Sequence, residues 1–192
     1  MVKRIFIVHG WSSSPQGDWF PWLASELRKA GYEVHVPKMP NPDEPDIYEW
    51  ISALSKSVGK PDKYTYFVGH SIGCQTILRY LAALPKDAKV GGAVYVAGWF
   101  SLTGLETEEE REIAKPWIKG AIDLELVMEK TKNAIAIFSD NDPFVPVKEN
   151  KKVYEKFCKK VIVEKGKGHI NTEAGITQLL SILKAVLEVS KV

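Results

Sequence analysis

Tyr64-Thr65-Tyr66-Phe67-Val68-Gly69-His70-Ser71-Ile72-Gly73 runs five β-prone residues straight into Gly-x-Ser-x-Gly, and a helical pattern from Cys74 to Leu84 follows at once. A strand, a turn with glycines two positions either side of a serine, and a helix form the context of a nucleophile elbow. Such an elbow lifts a serine hydroxyl above the carboxyl edge of a sheet. A turn that sharp strains the serine backbone, so its neighbours must be small, as Gly69 and Gly73 are. The free N–H groups at the helix start then face the point where negative charge develops on a reacting carbonyl.

Outward from this stretch, apolar runs alternate with helical patterns. Arg4 to Val8, Tyr32 to Pro37, Val90 to Ala97, Ala134 to Ser139 and Lys160 to Glu164 read as further strands. Between them, one helix runs from a cap at Asp18 through Trp22, Leu23 and Leu27 to Gly31. A second starts at Asp46, with Glu49 at capping-box spacing, and ends at Gly59. Val147 to Lys159 and Asn171 to Val189 complete the set. Residues 99 to 132 break the rhythm as a helix-prone, charged insertion interrupted by Pro116. The expectation is one α/β domain over residues 1–192: a three-layer sandwich with a mostly parallel sheet of about six strands and a small helical lid at 99–132. In such a sheet ligands bind beyond the carboxyl ends of the strands, so the loops at 9–17, 69–73, 98–130, 140–146 and 165–171 should converge there.

Composition narrows the function classes. At 192 residues the chain is long enough for one substantial core, and 45% apolar with 26% charged residues is ordinary for a globular protein. The net charge of +2, with Lys and Glu scattered, argues against a nucleic-acid or membrane-surface partner. Glu108-Glu109-Glu110 reads as a solvated helix start. Cys74 and Cys158 match no disulfide or metal spacing, and no metal or cofactor motif is present. With a strand at the very start, no signal peptide and no long apolar run, the expected location is the cytoplasm, as a monomer or a homodimer.

A serine hydroxyl needs a base, and the base an orienting acid. Of the four histidines, His9 and His70 flank the expected oxyanion site and His35 alternates within a strand. His169, in Gly166-Lys167-Gly168-His169, is the one placed on the ligand edge with a free side chain, so it is assigned as base. The acid belongs after the fifth strand, where Asp140 and Asp142 compete. Pro143 holds Asp142 extended, which suits a side chain aimed across the edge, and Asp140 is left to cap the turn. Backbone N–H groups of Ile72 and Trp11 would form the oxyanion hole, with Gly10 letting the first loop curl towards Ser71.

The ordered series His9-Gly10, Gly69-His70-Ser71-Ile72-Gly73, Asp142-Pro143-Phe144-Val145-Pro146 and Gly168-His169 resembles the α/β-hydrolase superfamily. The small size, the sheet beginning at the His9-Gly10 strand, and Lys115-Pro116-Trp117 narrow this. The chain is similar over essentially its whole length to the compact serine hydrolases typified by retinoblastoma-binding protein 9 and the bacterial YdeN proteins. The resemblance implies a six-stranded core without the usual first hairpin, a triad at Ser71, Asp142 and His169, and hydrolase activity. Leu-x-Cys-x-Glu, the pocket-protein binding motif of the animal relative, does not occur, so no retinoblastoma partner is implied.

Trp11, His70, Trp99, Phe100 and Trp117, with Leu102 and Leu105, are the candidate walls of an aromatic pocket under the insertion. Such a pocket favours compact apolar acyl or aryl esters as small-molecule substrates. The same triad would serve an amidase or peptidase, and a partner-binding protein on a hydrolase scaffold is the alternative of another class. Cys74, three residues past Ser71, is expected as a buried helix thiol rather than a nucleophile.

Overall fold

The computed structural model describes residues 2–191. Each apolar run becomes a strand: β1 Arg4–Val8, β2 Glu33–His35, β3 Thr65–His70, β4 Gly92–Val96, β5 Ala134–Ser139 and β6 Lys160–Glu164. All neighbours pair in parallel, in the order β2-β1-β3-β4-β5-β6. The helices are α1 Phe20–Lys29, α2 Ile47–Val58, α3 Ile72–Ala83, α4 Glu108–Lys119, α5 Leu124–Lys130, α6 Val147–Tyr154 and α7 Leu180–Ser190.

The central strands bury both faces, which is why they read as continuous apolar runs rather than alternating ones. Ile5, Ile7, Tyr66, Val68, Val94, Val96, Ile135 and Ile137 meet α1 and α7 on one face. Phe6, Val8, Phe67, Ala93, Tyr95, Ala136 and Phe138 meet α2, α3, α5 and α6 on the other. The result is a three-layer α/β sandwich. The chain steps from β1 outward to β2, then returns to place β3 on the other side of β1. That reversal opens a crevice at the carboxyl ends of β1 and β3, the topological switch point where α/β folds bind ligands. Pairing of Val8 with Gly69, and of His70 with Val96, brings the loops after β1, β3 and β4 to one level there.

Several elements depart from the sequence reading. Asp18 does not cap α1: its φ is 49°, Trp19 is the N-cap, and the carboxylate is engaged elsewhere. Asp46 does cap α2, accepting from the N–H groups of Tyr48 and Glu49. The closing helix starts at Leu180, not Asn171. Residues 171–179 form turns instead, with Asn171 Oδ1 accepting from Ala174 N–H and Gly175 at φ 75°. Ile176 and Leu179 still pack on the core, which explains the misleading periodicity. Helix α6 stops at Tyr154, five residues early, and Pro116 lies inside α4 without ending it.

Candidate active site

Ser71 sits between β3 and α3 with φ 53° and ψ −120°, a conformation worth about 1–3 kcal/mol of strain. Its N–H donates to Val96 O at 2.9 Å, anchoring the turn to β4. The glycines are dictated by space. A Cβ on Gly69 would lie 2.8 Å from the Cys74 nitrogen, and one on Gly73 would strike the carbonyl oxygens of Val8 and His9. Helix α3 therefore starts pressed against the end of β1.

The loop after β1 is set by His9. Its Nε2 accepts from Met39 N–H at 3.0 Å, so Nδ1 carries the proton and donates to Gly10 O at 2.8 Å. Burial lowers the His9 pKa, which suits this neutral tautomer. Gly10 approaches closely, since a Cβ there would lie 2.9 Å from His70 Nδ1 and 3.5 Å from Ser71 Cβ. Among the described residues, the N–H groups of Trp11 and Ile72 donate to no other protein group. Ser13, in the same loop, is a turn residue: its hydroxyl donates to Asp18 Oδ2 at 2.9 Å. Asp18 Oδ1 accepts from Thr172 N–H at 2.8 Å, tying this loop to the one that carries His169.

His169 is held by a cradle that sequence reasoning missed. Three consecutive N–H groups ahead of it, on Gly166, Lys167 and Gly168, donate to Asp140 Oδ1, Ser139 Oγ and Asn141 Oδ1 at 2.7, 2.9 and 2.8 Å. Asp140 thus grips the histidine loop rather than capping its own turn. Positive φ at Gly166, Gly168 and Ile170 gives the loop its shape. Asp142, 1% exposed at its side chain, accepts on Oδ1 from Phe144 and Val145 N–H and on Oδ2 from His169 Nδ1 at 2.8 Å. His169 therefore keeps Nε2 as its free nitrogen. His70 Nε2–H donates to His169 O at 2.9 Å, and burial, followed by the neighbouring His169, lowers the His70 pKa to about 4.

Ser71 and His169 open on one cavity of about 590 Å³. Trp11, His70 and Trp99 line it, and Leu102, Leu105 and Ile113 of the insertion add an apolar wall. Phe100 and Trp117 do not. Phe100 packs its ring against Tyr154, tilted, and against Phe157, edge to face, and Trp117 is buried against Trp50 with its indole N–H on Pro45 O at 2.9 Å. Both pin the insertion to the body. Ser71 Oγ accepts from Trp99 Nε1–H at 3.3 Å. The charged residues lining the cavity are Asp18, Asp43, Glu109, Glu110 and Glu173, with no Lys or Arg among them.

The profile of the serine hydrolase family matches residues 5–188. The chain belongs to the serine hydrolase family. This serine hydrolase is 31% identical over 180 residues to YdeN of Bacillus subtilis, covering 93% of this chain and 92% of that protein. It is 25% identical over 172 residues to the serine hydrolase RBBP9 of Rattus norvegicus, covering 88% and 86%. The crystal structure of the B. subtilis ydeN gene product superposes with a TM-score of 0.89 at 28% identity, over 98% of both chains. A structure from the work on the metagenome-derived lipolytic enzymes LipS and LipT shares the fold, with a TM-score of 0.71 at 16% identity over 97% of this chain and 92% of that one. In this serine hydrolase Cys74 is fully buried, its thiol pKa pushed up by burial, and it does not line the cavity that Ser71 opens on. Among the described residues, no cluster of His, Cys, Asp and Glu is arranged to hold a metal ion, and no helix is long and apolar enough to cross a membrane.

Proposed function

We propose that this serine hydrolase is a carboxylesterase for small apolar acyl or aryl esters, acting through an acyl-enzyme on Ser71. The observation that carries the reading is the His169 Nδ1–Asp142 Oδ2 contact of 2.8 Å, made by a buried carboxylate, at the cavity that Ser71 shares. An ionised Asp142 fixes the His169 tautomer and stabilises the imidazolium formed when Nε2 takes the serine proton. Ser71 Oγ then bonds to the substrate carbonyl carbon while the carbonyl π pair moves onto oxygen. The Trp11 and Ile72 N–H groups receive that oxyanion. The intermediate collapses as the leaving-group oxygen departs with the proton from His169. Water, activated by the same nitrogen, repeats the sequence on the acyl-enzyme and returns the proton to Oγ.

The apolar wall of Leu102, Leu105 and Ile113, with Trp11 and Trp99, supports a compact apolar acyl or aryl group, and residues 99–132 serve as its small lid. The carboxylates at the mouth support neutral or cationic substrates over anionic ones. Two free thiols fit a reducing, cytoplasmic setting.

Labelling with a reactive fluorophosphonate, followed by peptide mass mapping, tests the reading. The expected result is an adduct on Ser71 that is lost in Ser71→Ala and His169→Ala. A folded wild-type protein that takes no adduct would overturn it in favour of a non-catalytic, partner-binding scaffold.

A further inference from the structure

We infer that Trp99 is a further catalytic residue, whose indole N–H stabilises negative charge on Ser71 Oγ when the serine attacks and again when it departs; this rests on the esterase reading of the same site. Trp99 Nε1–H is the group that donates to Ser71 Oγ, at 3.3 Å across 28 residues of sequence. The geometry behind it is specific. Strand β4 ends at Val96, and Ala97, at φ 48°, turns the chain back towards the elbow. Gly98 follows where any Cβ would collide with the Tyr154 hydroxyl. The Trp99 carbonyl is then fixed by Gln75 Nε2 at 2.7 Å, from a side chain buried in α3. Trp99 is itself 1% exposed, so water does not compete for its N–H.

The chemistry follows from the inventory of lone pairs. A serine hydroxyl has one proton and two acceptor sites, and an indole nitrogen can only donate. With one acceptor site engaged by Trp99, the hydroxyl proton is free to be offered to His169. As that proton transfers to Nε2, the electron pair left on Oγ gains charge, and a hydrogen bond to a charged oxygen is roughly twice as strong as one to a neutral oxygen. The same holds in deacylation, when the Oγ–carbonyl carbon bond breaks and Oγ carries the pair until His169 returns the proton. An N–H held in a dry site needs no reorganisation at either step. Trp99 thus acts on Oγ, whereas the Trp11 and Ile72 N–H groups act on the carbonyl oxygen.

The test replaces Trp99 in the full chain by 3-benzothienylalanine, which keeps the indole shape but has sulfur in place of N–H, alongside Trp99→Phe. The readouts are the rate of fluorophosphonate inactivation, and kcat and KM for phenyl butyrate. Both variants should inactivate about tenfold more slowly and lose kcat to a similar degree, with KM held, and acylation and deacylation should both slow. An isosteric variant that reacts at the wild-type rate would overturn the role of the N–H, whatever Trp99→Phe does. A folded wild-type chain that never labels at Ser71 would instead overturn the esterase reading, and this inference with it.

Discussion

Met39 N–H donates to His9 Nε2 at 3.0 Å, a bond between the loop after β2 and the end of β1 that decides which ring nitrogen of His9 carries the proton. That proton is on Nδ1, and it holds Gly10 O at 2.8 Å. A trans peptide points its C=O and N–H in opposite directions. Gripping the Gly10 carbonyl therefore turns the next N–H, on Trp11, the other way, where the oxyanion reading needs a donor. A buried histidine that never meets substrate thus positions a backbone dipole.

His9→Leu should lower kcat for a short ester by about 100-fold, as expected for loss of one oxyanion donor, with little change in KM. His9→Asn, whose amide N–H can replace Nδ1–H against Gly10 O, should recover part of that loss. Equal kcat in the two variants would show that the ring merely fills space.

Gly73→Ala should destabilise the fold although alanine is the better helix former. In an exposed helix the change would gain about 1 kcal/mol. Here the new Cβ meets His9 O at 2.6 Å and also Val8 O, both backbone atoms of a buried strand end that cannot swing aside. A loss of about 3 kcal/mol corresponds to a fall of roughly 10 °C in Tm for a chain of this size. A thermal melt with unchanged or raised Tm would contradict the packing described at the elbow.

The elbow was legible because its chemistry is compressed into five residues, and the strands because burial on both faces leaves apolar runs. The pairing of His169 with Asp142 followed from chain order and from Pro143. What was not legible depends on contacts between distant residues or on single dihedral angles. Trp99 reads as one more pocket aromatic until the turn at Ala97 and Gly98 points its N–H at Ser71. Ser139, Asp140 and Asn141 read as a polar turn until their oxygens are seen to hold the N–H groups of residues 166–168. Phe100 and Trp117 were misplaced for the converse reason. An aromatic residue in an insertion has the same sequence pattern whether it faces the cavity or anchors the insertion, and Trp50 and Tyr154 claim these two.

His70 gives the protein a pH-dependent stability. Its pKa is about 4 in the folded chain, held down first by burial, against about 6.5 unfolded. Between these values the unfolded chain binds more protons, so stability rises with pH through that window. The contribution is fully present above about pH 6.5 and is lost as pH falls towards 4. Its full size is on the order of 3 kcal/mol. His70→Gln keeps an N–H for His169 O but cannot titrate. Urea unfolding at pH 7 and pH 4.5 should show wild type losing roughly 2 kcal/mol more than the variant. His9, also depressed by burial, contributes in the same direction to both chains. Parallel losses in the two proteins would remove His70 as the titrating group.

Substrate selection should follow both the walls and the mouth of the cavity. Leu102, Leu105 and Ile113 offer a short apolar surface, so butyrate esters should turn over well and palmitate esters poorly, and equal rates would refute the small-acyl reading. Asp43, Glu109 and Glu173 line the same cavity, and among the described residues no Lys, Arg or backbone N–H engages their carboxylates. Their field is therefore not cancelled locally, although the chain as a whole carries a net charge of +2. At low ionic strength, kcat/KM for 3-(trimethylammonio)phenyl butyrate should exceed that for 3-carboxyphenyl butyrate by about tenfold, with phenyl butyrate between them. Because these carboxylates are solvent-exposed, 0.5 M salt should shrink the ratio towards one. Neutralising all three, as Asp43→Asn, Glu109→Gln and Glu173→Gln together, should do the same without changing the rate on phenyl butyrate. A ratio insensitive to both salt and the triple substitution would mean that the leaving groups differ in reactivity and that the mouth exerts no selection by charge.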